Sequence, residues 1–256
     1  MKDSFALVTD PYERKARLYP ALLVLSPAAA VAIAVFPSSL SGLRSLATTV
    51  AMCGGLFLLA QLARSSGKRA EKALFASWGG KPSVTIFQHR DPRLSSVTKA
   101  RYHKALATIG KGTKAPTAAD EERDPSAADD TYLAWSDFLR VNARDNPKKY
   151  PLVFHENVGY GYCRNVWGMR PLGIVSTGLL AALTGGYCLH KWRASGAVPE
   201  PLLGAAAFCV VLFLLWAFRF TSAWVRVPAD AYAERLAETV ESYVVTGGQP
   251  RRPTKG

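Results

Sequence analysis

Acidic side chains are scarce: nineteen Asp and Glu stand against thirty-two Lys and Arg in 256 residues, and none of the nineteen falls inside the four longest apolar runs. A proton- or cation-coupled transporter normally sets an ionisable group near the bilayer midplane, so this absence demotes that class. Catalytic signatures are missing too. Gly110-Lys111-Gly112-Thr113 lacks both the Gly-Lys-Ser/Thr order and the spacing of a phosphate-binding loop. His155-Glu156 starts like a zinc-protease motif, but Gly159 stands where the second histidine is needed. Gly159-Tyr160-Gly161 has no third glycine and no βαβ surroundings, which excludes a dinucleotide fold, and no serine-centred nucleophile elbow occurs. Cysteine is sparse: Cys53, Cys188 and Cys209 lie within apolar runs and only Cys163 in a polar region, so neither a disulfide framework nor a metal site is expected. A chain of this kind is expected to be no enzyme and to carry no cofactor.

What is present is hydrophobicity gathered into blocks. Pro201 to Phe218 runs eighteen residues without a charge or an amide, and Arg219 follows at once. As a helix it is about 27 Å long at 1.5 Å per residue, close to the hydrocarbon thickness of a bilayer. Trp216 and Trp224 stand where interfacial anchors belong. Three further runs share this character: Leu18–Phe36 with Pro20 and Pro27, Ser45–Ala63 ended by Arg64, and Pro171–Leu189, rich in glycine and small residues. Pro37–Leu43 reads as a tight turn and His190–Glu200 as the second short connection. The fold expected is an α-helical integral membrane protein in which two transmembrane hairpins, four spans in all, flank a mostly helical cytoplasmic domain. The long polar lead with Asp3, Asp10 and Glu13 favours an uncleaved hairpin over a signal peptide.

Lysine and arginine set the orientation, because they resist translocation in short loops. Residues 1–18 carry four, 64–170 nineteen and 219–256 six, against three in the two turns. Both termini and the central segment are therefore expected in the cytoplasm of a cell whose inner membrane holds the spans. The expected parts are an N-terminus at 1–17, a first hairpin at 18–63, a basic domain at 64–170, a second hairpin at 171–222, an amphipathic helix at 228–245 and a disordered tail at 246–256. The net charge of +13 favours anionic partners, lipid head groups or a phosphate-bearing ligand.

Within the basic domain, a helix from the second span should break at Gly79-Gly80-Lys81-Pro82, and Val84–Phe87 alternates as a short strand. Ser95 or Ser96 can cap a helix over Val97–Ile109 whose exposed side carries Lys99, Arg101, His103 and Lys104. An acidic run of six carboxylates between Asp120 and Asp130 would pair with that basic helix in a neighbouring subunit, or simply keep its loop soluble. Asp124-Pro125 begins another helix that reaches about Arg144 and buries Tyr132, Trp135, Phe138 and Leu139. Pro228 should open a last helix with the stripe Tyr232, Leu236, Val240 and Tyr243, which either folds onto its own domain or zips subunits together.

Two constellations are candidate sites. Glu156–Arg170 combines aromatics, glycines and arginines just before the third span. It reads as an interfacial collar of Tyr160, Tyr162 and Trp167 with Arg164 and Arg170 on phosphates, as a ligand site in which Tyr160 stacks a base and Arg164 forks onto a phosphate, or as a glycine hinge. In the third span Gly173, Thr177, Ala181 and Thr184 share one helical face, which suits helix packing or the wall of a pore in an oligomer.

At Ser77-Trp78-Gly79-Gly80-Lys81-Pro82, at Lys99–Lys104, and at the GYGYCRN run of Gly159–Asn165, the chain resembles bacterial membrane proteins with a soluble insert between two hairpins. Among these it is most similar to the channel-forming membrane effector of the Hailong antiphage systems. That resemblance implies an oligomeric, ligand-gated ion channel in antiviral defence, a tetramer by expectation, controlled by a nucleotide oligomer from a partner nucleotidyltransferase. The resemblance transfers no individual residue; from charge and helical pattern alone, Lys99, Arg101, His103, Lys104, Tyr160 and Arg164 are the expected contacts of an anionic ligand, and Gly173, Thr177 and Thr184 the expected pore face. A membrane-anchored scaffold for a soluble partner and a small-solute transporter are the rivals.

Overall fold

The computed structural model describes residues 14–36, 43–109 and 114–244, the side chains of 43–53 excepted. Most of the 37–43 turn, the Gly110–Thr113 loop, the tail, and the side chains of Thr48 and Thr49 lie outside the described residues. Among those described every regular element is helical. In chain order these are α1 (Tyr19–Val35, led by a π-turn over Arg14–Leu18), α2 (Leu43–Trp78), α3 (Pro82–Thr85), α4 (Ser96–Ile109), α5 (Ala118–Arg123) and α6 (Pro125–Asp145). There follow α7 (Pro151–Ser195), α8 (Glu200–Leu214, closed by a π-turn over Leu215–Arg219), α9 (Ser222–Glu238) and α10 (Glu241–Val244).

Three of these helical segments, Arg14–Val35, Pro151–Ser195 and Glu200–Arg219, are long and apolar enough to cross a membrane. The chain divides into two compact units, Met1–Glu71 with Gly161–Val225, and Lys72–Tyr160 with Arg226–Gly256. In the first, α1, α2, α7 and α8 meet around Val24, Ala63, Val166, Met169, Leu212 and Trp216. Their outer faces stay apolar and open: Val175, Leu179, Leu183, Leu203, Val210 and Val211 are all exposed. Apolar side chains turned outward along a span are what lipid or a sister helix accepts.

Close backbone approach fixes where α2 and α7 touch. A Cβ on Gly168 would lie 2.5 Å from the amide nitrogen of Gly67, and one on Gly67 would lie 2.0 Å from the Asn165 side-chain oxygen. These glycines are there for space. Asn165 is buried and donates from Nδ2 to the Ala16 carbonyl at 2.7 Å, satisfying an amide that would be costly to leave bare. The Glu156–Arg170 stretch is helical throughout, continuous with α7.

The second unit has its own core of Phe87, Tyr102, Leu106, Tyr132, Trp135 and Leu139. Two expectations for its elements hold in detail. Helix α2 ends at Trp78, and Gly79 and Gly80 take positive φ of 77° and 138°, the left-handed side that only glycine enters without strain. Asp124 caps α6 by accepting from the Ala127 amide at 3.1 Å.

Other expectations are corrected. Val84–Phe87 forms no strand. Pro82 at the first helical position fixes φ, and the Lys81 carbonyl accepts from Val84 and Thr85, so a short helix wins over a strand without a partner. Pro228 does not open the last helix but lies inside α9, which starts at Ser222 with the Thr221 hydroxyl accepting from the Trp224 amide at 3.3 Å. Of the stripe Tyr232, Leu236, Val240 and Tyr243, the last three are buried in their own unit's core and Tyr232 packs against it, the arrangement in which this segment folds onto its own domain. Trp216 is fully buried rather than anchored at an interface. Four of the six carboxylates in the acidic run, Asp120, Glu121, Asp124 and Asp129, find partners within their own unit.

Candidate functional site

Helix α4 carries four of the expected ligand contacts, and its two faces treat them differently. Ser95 begins it, accepting from the Thr98 amide at 3.2 Å. From that start, Lys99 and His103, four residues apart, point inward, while Arg101 and Lys104 stay exposed. The expected exposure of Lys99 and His103 is thus wrong, for a reason of periodicity: an i, i+4 pair shares one helical face, and Tyr102 and Leu106 carry that face into the core.

The buried Lys99 ammonium donates to three main-chain carbonyls, those of Gln88 at 2.6 Å, His89 at 3.3 Å and Asp91 at 2.5 Å. Burial lowers its pKa, and the nearby Asp91 carboxylate opposes that shift. The His103 ring lies 2.8 Å from the Phe87 carbonyl, edge-on to His89 at 4.9 Å and against Trp135 at 5.1 Å. Burial pulls its pKa down to about 4, so the ring is neutral at pH 7 and its bonded nitrogen is the N–H donor. Both side chains fasten the loop that joins α3 to α4.

That loop is tied a second time by residues that the sequence reading passed over. The Arg93 guanidinium forks onto Asp91, with Nη2 to Oδ2 at 2.6 Å, and reaches Asp230 of α9 through Nη1 at 2.7 Å. The Asp91 carboxyl, though its burial acts the other way, is held below the usual carboxylate range by hydrogen bonds from Arg93. Glu121, from the acidic run, is buried and accepts from the His89 amide at 2.8 Å and the Tyr132 hydroxyl at 3.0 Å. Asp129 accepts from Gln88 at 2.7 Å, and Asp120 completes a capping box with Thr117. The sequence signals for this network were the acidic run itself and the pair Asp91 and Arg93 astride a proline.

The outward pair on α4 lines a cleft of about 320 Å³ with Thr108, Ile109, Tyr243 and Val244. Arg101 is ion-paired with Glu241 of α10, whereas Lys104 presents its ammonium on the exposed face. Tyr160 stacks on Tyr232 with ring centroids 6.4 Å apart. Arg164 belongs to the other unit, where it donates to Glu71 at 2.5 Å and to Asn165 at 3.1–3.2 Å. The structure therefore brings Arg101 and Lys104 together, sets Lys99 and His103 beneath them as framework, and assigns Tyr160 and Arg164 to partners of their own.

The small-residue face of α7 packs inside its unit. A Cβ on Gly173 would be 2.3 Å from the Trp216 ring, and Thr177 and Thr184 are buried. Their hydroxyls donate back to the carbonyls of Gly173 and Leu180, each at 2.6 Å. Of the two expectations for this face, packing is the one its geometry fits, since a side chain covered by its own subunit cannot wet a shared axis. No protein-family model, no curated protein and no solved structure matches the chain.

Proposed function

We propose that this is a four-span membrane protein, the fourth span being the 45–63 portion of α2, whose helical unit of residues 72–160 and 226–244 binds an anionic, nucleotide-type ligand and controls a conducting path through a homo-oligomer. The observation that supports ligand binding is the Arg101 and Lys104 cleft, where two cations share one exposed rim beside the Tyr243 ring. A guanidinium and an ammonium on one rim suit successive phosphates, and a ring at the floor suits a base. The open apolar faces of α7 and α8 support assembly, since four packed helices 8 to 10 Å apart leave no hydrated path within one subunit and conduction needs several copies. With Thr177 and Thr184 buried, the polar positions the sequence offers to such a path are Thr48 and Thr49. The likeness to the Hailong effectors is the ground for placing this activity in antiviral defence, with a tetramer and a partner nucleotidyltransferase as its corollaries, while the distribution of lysine and arginine is the ground for cytoplasmic termini.

Three measurements test the reading together. Mass photometry of the detergent-purified chain should give an oligomer, and reconstituted bilayers should show conductance that Thr48→Trp suppresses. Oligonucleotide titration should show binding that weakens from low to physiological salt and is lost in the double variant Arg101→Glu, Lys104→Glu. A monomer that neither conducts nor binds oligonucleotide would leave the membrane-anchored scaffold as the better account.

A further inference from the structure

A second cationic cleft lies in the membrane unit, and no part of the proposed mechanism uses it. Where the Gly67 and Gly168 backbones meet, α2 and α7 come too close for side chains, and the residues flanking the crossing wall a space of about 460 Å³. Ser66 and Arg69 line it from α2, and Trp167, Arg170 and Pro171 from α7. Arg170 is fixed: Nε and Nη2 donate to the carbonyls of Trp216 at 3.0 Å and Ala217 at 2.7 Å, groups in the π-turn over Leu215–Arg219. Both partners are carbonyls, and Arg170 makes no ion pair among the described residues. Arg69 is exposed and makes no ion pair among the described residues. Two guanidinium groups thus border one cleft that contains no carboxylate.

The depth of the cleft follows from the sequence. The apolar run in α2 ends at Ala63, a turn before Ser66, and the run in α7 starts at Pro171 itself. Both walls accordingly stand within two turns of an apolar boundary, at the level where Trp and Arg meet phosphate head groups. Pro171 has no N–H to give the carbonyl four residues earlier, so the Trp167 carbonyl lacks its helical donor and keeps acceptor capacity. The ensemble combines cations for a phosphate, an indole for the glycerol region and an acceptor for a head-group hydroxyl.

We infer that the cleft of Arg69, Trp167 and Arg170 binds the phosphate of an anionic phospholipid with a hydroxylated head group, such as phosphatidylglycerol. This inference rests on the membrane reading, though not on the channel or its nucleotide ligand. Basic pockets between membrane helices on the lysine- and arginine-rich side are places where such head groups settle.

The test is native mass spectrometry of the full chain in detergent, titrated with phosphatidylglycerol, with phosphatidylcholine and with inorganic phosphate. Phosphatidylglycerol should be retained at least about tenfold better than phosphatidylcholine, a factor worth 1.4 kcal/mol. Arg69→Glu should abolish that preference and Trp167→Leu reduce it, while Arg193→Glu, a charge change at the far end of α7, should leave it intact. Arg69→Gln, which keeps size and polarity, should fall between and stands in should Arg69→Glu not fold. Equal retention of the two lipids, an unchanged preference in the Arg69 variants, or displacement by equimolar inorganic phosphate would overturn the site. Carbonate extraction of cell membranes separates this outcome from failure of the membrane reading: a chain released into the supernatant defeats the latter, and a retained chain indifferent to lipid defeats only the cleft.

Discussion

Lowering the pH should loosen the helical unit through His103. Its pKa is about 4 in the fold against 6.5 for an unburdened histidine, because burial against Trp135 and Tyr132 disfavours the charged ring, an effect that the hydrogen bond to the Phe87 carbonyl only partly offsets. Between those two values the unfolded chain binds a proton that the folded chain refuses, so stability falls as pH falls. The contribution is fully present above pH 6.5 and is withdrawn toward pH 4, amounting to about 2 kcal/mol by pH 5 and about 3 kcal/mol by pH 4. The charges facing the ring from neighbouring elements, His89, Lys99 and Glu121, partly cancel, which leaves burial as the dominant cause. The assay is thermal unfolding of the detergent-purified chain from pH 7 to pH 4, followed by tryptophan fluorescence, for the wild type and His103→Gln. The glutamine amide can donate to the Phe87 carbonyl without titrating, so the variant should start less stable and lose less on acidification. Parallel pH slopes for the two proteins across 6.5 to 4 would refute the assignment, since they would place the proton uptake on other groups.

Further outcomes follow from packing and charge. Arg93→Ala should strip Asp91 and Asp230 of their shared cation at a site where Arg93 is 14% exposed, costing about 3 to 5 kcal/mol, and chemical denaturation should show Asp91→Asn recovering part of that loss in the double variant. Gly173→Leu should prevent correct folding because its first added carbon meets Trp216 at 2.3 Å, whereas Gly185→Ala meets nothing within 4 Å and should be neutral or stabilising by up to about 1 kcal/mol; size-exclusion profiles and melting curves distinguish the two. Reporter fusions after Ser195 should read external and fusions after Lys114 internal; an internal reading at Ser195 would reverse the proposed orientation. Glu71→Ala should remove the carboxylate to which the part-buried Arg164 guanidinium donates at 2.5 Å, and a melting temperature lowered by several degrees would register the loss.

The chain by itself determined the class of the molecule. Apolar blocks of this length without a carboxylate suit helices, which satisfy their own backbone hydrogen bonds even in a bilayer, and three helices long and apolar enough to cross one are found. Local chemistry also fixed some boundaries: the glycine pair after Trp78 and the Asp124-Pro125 start are settled by neighbours in sequence, so they were legible. Tertiary structure decided what each polar residue does. Lys99 and Arg101 are indistinguishable as members of a basic helix, and only the direction of the core makes one a buried clamp on three carbonyls and the other a rim cation. Thr177 and Thr184 have the composition of a pore wall and the position of a packing face, since that distinction depends on where Trp216 and its neighbours come to rest. Arg69 and Arg170 are about a hundred residues apart in the chain and share a cleft only because two glycines let α2 and α7 touch. Contacts between residues so far apart leave no periodic trace along a single chain, and so packing, rather than pattern, defined both cationic clefts.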